Sequence, residues 1–177
     1  MNAQKIRRLV LTALFAALTC TATALLHIPS PVGGYFNLGD TVLLLGAFLL
    51  GPVCGAIAGG IGAAMADILL SFVLYAPATC VIKLLTALTA ACILRAMRKR
   101  RMLGAVIGAA AGELVMVLGY FLYEWVLYGF AGSAESMLTV NLPQAAVSAA
   151  AAVIVFLVLE RAHITDQFHG GAFPHDG

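Results

Sequence analysis

The sequence predicts an all-α protein that crosses a membrane six times, and three observations support this fold class. Hydrophobic residues make up 62% of the chain and charged residues only 10%, whereas soluble domains average about 25% charged residues. Apolar runs of the length that a helix needs to cross the hydrocarbon core, about 20 residues, recur along the chain. Basic residues gather at a few points beside these runs, as in loops on one side of a membrane.

Charged or polar breaks delimit most of the predicted spans. The segment from Leu38 to Phe72 is too long for one span, because its roughly 35 residues would extend about 52 Å as a helix. The pair Gly51-Pro52 lies inside it and favours a turn, since proline disfavours helix at the residue before it. The predicted spans are Leu9–Leu26, Leu38–Leu50, Val53–Phe72, Ala78–Leu94, Met102 to about Leu127, and Met137–Leu159.

The distribution of basic residues supports six spans and predicts their orientation. With six spans, the basic N-terminus, the cluster Arg95–Arg101 and Arg161 all lie on the same side. The positive-inside rule then places both termini in the cytoplasm. The outer loops would be His27–Asn37, Leu74–Pro77 and Tyr128–Ser136, and none of them contains lysine or arginine.

The chain is long enough for one compact bundle and no second domain. We expect a transmembrane domain over residues 1–164 and a disordered cytoplasmic tail over residues 165–177, which is polar and rich in glycine. The four cysteines lie far apart in apolar runs and lack the spacing of metal ligands. We find no phosphate-binding loop, zinc-protease motif, nucleophile elbow or nucleic-acid motif. We therefore expect no catalytic activity, cofactor, metal or nucleic-acid partner.

Small residues recur at four-residue spacing on several helices. Such stripes let helix backbones approach closely in lipid, where packing rather than the hydrophobic effect holds helices together. Each stripe has two interpretations: packing inside this bundle, or docking onto a partner membrane protein. The stripes are Ala13 and Ala17; Gly51, Gly55 and Gly59; and Gly104, Gly108 and Gly112.

Polar side chains from several segments are predicted to meet at the outer end of the bundle, which is the pattern of a small-molecule site. Charges at membrane depth are expensive and therefore indicate function or ion pairing. Asp67 and Lys83 could form a structural ion pair between neighbouring helices. Glu113 could be a protonated or hydrogen-bonded buried carboxyl, and Glu124 could reach the interface. Tyr120 is the deepest of several aromatic residues near Trp125 and the best candidate to stack on a ring.

Two motifs resemble a known family. The strings GYFNLGD, at Gly34–Asp40, and ADILLSFVLYAPATCVIK, at Ala66–Lys83, are similar to the substrate-binding S-components of energy-coupling factor (ECF) vitamin transporters. The similarity covers roughly residues 5 to 160 and is nearest the riboflavin, hydroxymethylpyrimidine or pyridoxine-type branch. Ala13 and Ala17 match the family's alanine motif for docking on the coupling subunit.

The resemblance implies a six-helix subunit of the bacterial cell membrane that binds one vitamin near the outer face, under the first outer loop. A membrane T-subunit and two cytoplasmic ATPases would complete an ATP-driven importer. The implied site residues are Tyr35, Asn37, Thr79, Lys83, Glu113, Tyr120, Glu124, Asn141 and Gln144.

The acidic residues Glu113 and Glu124 favour a pyridoxine-like or aminopyrimidine ligand, because a carboxylate accepts a charge-assisted hydrogen bond from a ring nitrogen. Riboflavin is the alternative. Two other functions stay open on the sequence: a membrane enzyme that uses Glu113 or Asp67 as an acid or base, and an accessory protein whose small-residue stripes only assemble complexes.

Overall fold

The computed structural model describes residues 3–30 and 34–165, and 87% of it is helical. This agrees with the all-α prediction. The expected tail lies almost wholly outside the described residues. The elements in chain order are α1 (Ala3–Leu25), β1 (His27–Pro29), β2 (Tyr35–Asn37), α2 (Gly39–Leu50), α3 (Pro52–Leu69), α4 (Ala76–Ala96), a 3-10 turn (Arg98–Arg100), α5 (Arg101–Ser136), a π-helical turn (Met137–Asn141) and α6 (Leu142–Arg161).

The predicted turn at Gly51-Pro52 is confirmed. Gly51 has φ of +81° and separates α2 from α3, and Pro52 opens α3. Glycine adopts this left-handed conformation without steric cost, and proline at a first helical position loses no intrahelical hydrogen bond. The two short segments therefore fold as separate antiparallel neighbours instead of one long helix.

The first predicted outer loop contains a small sheet that the sequence analysis did not anticipate. Strands β1 and β2 pair antiparallel, with His27 opposite Asn37 and Pro29 opposite Tyr35. A backbone hydrogen bond from Ser30 to Gly34 continues the pairing towards the turn. This hairpin, defined as residues 27–30 and 34–37, holds Tyr35 and Asn37 at fixed positions next to the start of α2.

The predicted loop Tyr128–Ser136 is wrong, because most of this segment is helical. Gly129, at φ +75° and ψ 175°, breaks α5, and the residues after it form helix again. The hydroxyl of Ser133 donates to the carbonyl of Phe121 at 2.8 Å, so the chain folds back along α5. The ring of Phe130 also contacts that of Trp125, at 5.8 Å between centroids. The segment has no proline, and its second glycine, Gly132, lies within the helix that follows Gly129.

Close helix packing explains the glycine stripe of α5. A Cβ added at Gly108 would lie 2.7 Å from the carbonyl oxygen of Ala90, and one at Gly112 would lie 2.8 Å from that of Thr86. Both carbonyls belong to α4, so this stripe packs inside the bundle. Ala13 and Ala17 differ, because both are exposed on α1.

The two ends of the bundle have different chemistry. Near the arginine cluster, Arg101 at the start of α5 forms an ion pair with Glu160 at the end of α6, and the guanidinium lies over the ring of Phe156. We call this the basic end. The apolar core lies next to it, where Phe48 packs against Phe156 at 5.1 Å between ring centroids. The hairpin and the buried polar residues lie at the opposite end, which we call the cavity end.

Four helical runs within the described residues are long and apolar enough to cross a membrane, with 98–161 counted as one run across its kink, and α2 is a shorter apolar helix. These runs indicate a multi-pass membrane protein. The six-span count, the cytoplasmic location of the termini and the boundary of the domain stay predictions.

Candidate functional site

A cavity at the cavity end of the bundle contains most of the predicted site residues. The hairpin forms one wall, and residues of α1, α3, α4, α5, the π-helical turn and α6 supply the others. Eight of the nine predicted substrate-binding residues line it: Tyr35, Asn37, Thr79, Lys83, Tyr120, Glu124, Asn141 and Gln144. Glu113 does not line the cavity. The prediction that these side chains bind substrate stays a prediction, but their convergence is a property of the structure.

A chain of hydrogen bonds joins the hairpin to three helices. The backbone amide of Asn37 donates to Oε1 of Gln144 at 2.8 Å, and the Asn37 side-chain amide donates to the same oxygen at 3.2 Å. Nε2 of Gln144 then donates to Oδ2 of Asp40 at 2.6 Å. Asp40 in turn accepts from Lys83. A change in the position of the hairpin would therefore disturb a buried network that includes α2, α4 and α6.

Lys83 pairs with Asp40 and not with Asp67, so the predicted Asp67–Lys83 ion pair is wrong. The Lys83 ammonium lies 2.7 and 2.6 Å from the two carboxylate oxygens of Asp40. Both side chains are almost fully buried, at 3% and 2% exposure. The ammonium also lies 5.2 Å from the centre of the Tyr120 ring, a cation–π contact. The pair is thus stabilised by a second partner on each side.

Asp67 is held by the hairpin instead. The hydroxyl of Tyr35 donates to Oδ1 of Asp67 at 2.5 Å, which connects β2 to the end of α3. Burial raises the pKa of the Tyr35 phenol, and the charge of Asp67 raises it further. The phenol therefore keeps its proton and acts as a donor. The ring of Tyr35 also packs against that of Phe72, at 4.9 Å between centroids.

Glu124 lies in a second polar cluster at the cavity wall. Nδ2 of Asn141 lies 3.4 Å from one carboxylate oxygen, and the Tyr75 hydroxyl lies 3.5 Å from the other. These are long hydrogen bonds. Burial raises the pKa of the Tyr75 phenol, and its contact with Tyr128 and the charge of Glu124 raise it further. Ser136 is a third partner of Glu124. Because the contacts with Asn141 and Tyr75 are long, a ligand donor could replace either of them at Glu124.

The cavity offers ring faces together with uncharged hydrogen-bonding groups. Tyr120 exchanges a 2.9 Å hydrogen bond with Thr79, which fixes the orientation of its ring. Amide groups of Asn37, Asn141 and Gln144 supply donors and acceptors on other walls. This arrangement suits a planar ring with polar substituents.

Sequence reasoning missed six lining residues: Thr23, Gly34, Ala63, Asp67, Tyr75 and Val140. Tyr75 carried a usable signal, because it lies beside the Ala76-Pro77 start of a helix that holds two predicted site residues. Asp67 was recognised as a buried charge but assigned to another partner. Thr23, Ala63 and Val140 are ordinary residues of apolar helices, and only the three-dimensional packing reveals their role.

The comparisons with known proteins agree with this geometry. A family model described as "ECF-type riboflavin transporter, S component" matches residues 3–163. This chain belongs to that family. Members of this family are substrate-binding subunits of vitamin transporters and are generally non-catalytic. Membership implies association with a T-subunit, ATPase subunits and a small-molecule substrate.

Two further proteins are similar to this S component. A protein of Pyrococcus woesei, described as an uncharacterized protein in a gap 3′ region, is 39% identical over 120 residues, which cover 66% of this chain and 77% of the relative. The solved structure of the S component of a bacterial ECF transporter aligns with a TM-score of 0.65 at 21% identity, over 92% of this chain and 98% of that one. At this identity the structural match supports the fold alone.

Proposed function

We propose that this S component captures riboflavin in the cavity beneath the hairpin, as the first step of its ATP-driven import. The observation that carries the proposal is the combination of ring faces and uncharged hydrogen-bonding groups around one cavity in a member of the riboflavin-type family. Riboflavin is an uncharged molecule with a planar ring system and a hydroxyl-rich chain. Tyr120 and Tyr75 could pack against the rings, and the amides could bind the hydroxyl groups.

The charges at the site support a neutral ligand. The Lys83 ammonium is compensated by Asp40, so it needs no anion from a substrate. Asp67 accepts a short hydrogen bond from Tyr35. A buried charge that lacks a partner is costly, and a ligand with its own charge would have to replace one of these pairings. An uncharged ligand leaves them intact.

A pyridoxine-like or aminopyrimidine ligand is the second candidate, and Glu124 is the observation that favours it. Its hydrogen bonds to Asn141 and Tyr75 are long, so it could accept a stronger one from a ring nitrogen or amino group. The original reason for this ligand was the pair Glu113 and Glu124. Because Glu113 lies outside the cavity lining, Glu124 alone still supports this ligand.

The remaining parts of the transporter follow from the family. We infer a location in the bacterial cell membrane, with the cavity end facing outwards and the basic end in the cytoplasm. The hairpin would open to admit the substrate and close over it. The partners would be one membrane T-subunit and two cytoplasmic ATPases, and Ala13 and Ala17, which are exposed on α1, would form part of the docking face.

Native mass spectrometry of the purified protein, with and without added vitamins, tests the ligand directly. We expect one riboflavin bound per protein. Excess pyridoxine or hydroxymethylpyrimidine should not displace it. A bound mass that matches one of those smaller rings would replace riboflavin with the second candidate. A protein that stays empty with all three, while it converts a lipid, would favour the enzyme hypothesis.

A matched pair of variants tests whether the hairpin contact contributes to affinity. Gln144→Leu removes the acceptor of two donors on Asn37 and the donor to Asp40. Unsatisfied buried groups cost about 1–3 kcal/mol, so we expect riboflavin affinity to fall by about 5- to 150-fold in a fluorescence titration. Gln4→Leu makes the same substitution at an exposed position of α1 and should leave the affinity unchanged. Equal affinities of both variants would contradict the role of the hairpin contact.

A further inference from the structure

Glu113 is a buried carboxyl group that does not line the substrate cavity. It lies seven residues before Tyr120 on α5, which places it on the same helix face and about two turns nearer the basic end. Only 3% of the residue is exposed. It is absent from the cavity lining, and it lies close enough to Asp40 and Lys83 for their charges to act on it.

Neither carboxylate oxygen of Glu113 has a hydrogen-bond partner within residues 3–30 and 34–165. Lys83 on α4 is the nearest basic group to consider, but its ammonium is bound by both oxygens of Asp40 on α2. The hydroxyl of Thr86, one turn further along α4, donates to its own helix backbone. Within the described residues, Glu113 therefore has no hydrogen-bond donor, and the cation near it is already bound by Asp40.

The surrounding helices supply no other charge at this depth. Between Leu142 and Leu159, α6 has no charged residue, and neither does α1 between Leu9 and Leu25. The charged residue of α3 is Asp67, which belongs to the cavity wall. Asp40 and Lys83 are thus the charges that act on Glu113; the effect of Asp40 is the larger, and its charge has the same sign as an ionised Glu113 would have.

An ionised carboxylate in this position would be shielded from bulk solvent, without a donor and without a cation of its own, which is a costly arrangement in a protein interior. A protonated carboxyl avoids the cost. We propose that Glu113 is a proton-binding site beneath the substrate cavity, that it is protonated when the hairpin covers the cavity, and that substrate capture is coupled to uptake of this proton. The coupling rests on the proposed function, whereas the proton site itself does not.

The coupling follows from the hydrogen-bond chain. Opening of the hairpin separates Asn37 from Gln144 and admits water towards Asp40 and Glu113. Water can solvate the ionised form of Glu113, so the open state releases the proton more readily than the covered state. Thermodynamic linkage then requires the protonated protein to bind substrate more tightly than the deprotonated protein. Affinity for riboflavin should therefore fall as the pH rises.

Infrared spectroscopy at mildly acidic pH, where the protein keeps this proton whether the hairpin is open or closed, tests the proton site without substrate. We expect the carbonyl stretch of a protonated carboxylic acid in the wild type and in Glu135→Gln, which changes an exposed carboxylate. The band should be lost in Glu113→Gln, whose side chain has the shape of the neutral acid. Identical spectra of the wild type and Glu113→Gln would overturn the proposal. So would a failure of Glu113→Gln to fold, because an uncharged, unpartnered acid should tolerate this replacement.

Calorimetry in two buffers with different heats of ionisation measures the coupling. We expect riboflavin binding to be accompanied by uptake of a fraction of one proton in the wild type and in Glu135→Gln. This fraction should increase as the pH rises from mildly acidic to mildly alkaline. Glu113→Gln should bind with no such uptake. Equal uptake in Glu113→Gln, or none in the wild type, would refute the coupling. If the wild type does not bind riboflavin at all, the proposed function fails, and the infrared result still decides the proton site.

Discussion

The ammonium of Lys83 is the only cation at the cavity wall within the described residues, and its stability depends on a partner that is distant in sequence. Asp40 lies 43 residues earlier, and both groups are almost fully buried. Breaking a buried ion pair from one side leaves an uncompensated charge, which typically costs 3–5 kcal/mol, whereas replacing both partners by apolar residues is often nearly neutral. The pair therefore offers a test in which the double variant is more stable than either single variant.

We expect Lys83→Met to lower the free energy of unfolding in detergent by about 3–5 kcal/mol, because Asp40 is then left charged and buried. Asp40→Leu should have a similar effect through Lys83, and the double variant should recover most of the loss. Thermal and denaturant unfolding of the four proteins would complete the cycle. Lys99→Met, at an exposed position, is the control and should be neutral. Additive losses in the double variant would show that the two groups do not depend on each other.

The same pair shows what residue-level prediction could achieve. The family resemblance supplies the predicted site residues before α5, and depth along the predicted helices supplies those of the last two spans. Eight of the nine residues line one cavity. Depth alone gave no information on rotation about the helix axis. For that reason Lys83 was paired with Asp67 instead of Asp40, and Glu113 was assigned to the cavity although it lies behind it. Choosing among partners at equal depth requires the helix packing.

At the scale of single elements, the contact between α4 and α5 depends on the absence of side chains. Gly108 brings its backbone against the carbonyl of Ala90, where even a Cβ would lie 2.7 Å away. The backbone carbonyl cannot give way as a flexible side chain would, so a larger residue must separate the helices. Lys83 and Tyr120 lie on these two helices and would be separated as well.

We expect Gly108→Val to destabilise the protein by about 1–3 kcal/mol, the usual range for overpacking, and to weaken riboflavin binding. Ala110→Val introduces the same side chain two residues further along α5 at an exposed position. This control lowers helix propensity whereas Gly108→Val raises it, so a greater loss in Gly108→Val must come from the helix contact. Thermal unfolding and a riboflavin titration would compare the two variants. Equal stability of both would mean that the helices are not held together at Gly108.

Prediction of the elements succeeded where hydrophobicity was decisive and failed at their connections. The turn at Gly51-Pro52 and the main apolar helices follow from composition and helix breakers. The hairpin was not anticipated, because each strand has only three residues and its pairing depends on the packing of Tyr35 against α3. The sequence predicts a loop after Gly129, where small and polar residues such as Ser133 suggest exposure. In the structure the Ser133 hydroxyl donates to the backbone of α5, and the segment is helical.

At the scale of the whole molecule, the positive charges and the cavity lie at opposite ends. The arginine cluster and the Arg101–Glu160 pair mark the basic end, and the hairpin marks the other. If the positive-inside rule holds here, the cavity opens to the exterior and the exposed face of α1 begins on the cytoplasmic side. Substrate capture and coupling to ATP hydrolysis would then use separate surfaces, and a substitution could affect one without the other.

Ala13→Leu combined with Ala17→Leu tests this separation. Both alanines are exposed on α1, so the larger side chains meet no neighbour inside the described structure, and riboflavin affinity in detergent should be unchanged. Docking on a T-subunit requires close approach of the helices, which leucine prevents, so vitamin uptake by whole cells should be abolished. Leu14→Ala with Leu18→Ala alters adjacent exposed positions of the same helix in the opposite sense and should retain uptake. Loss of riboflavin binding in the leucine variant would instead assign the two alanines to packing within the bundle.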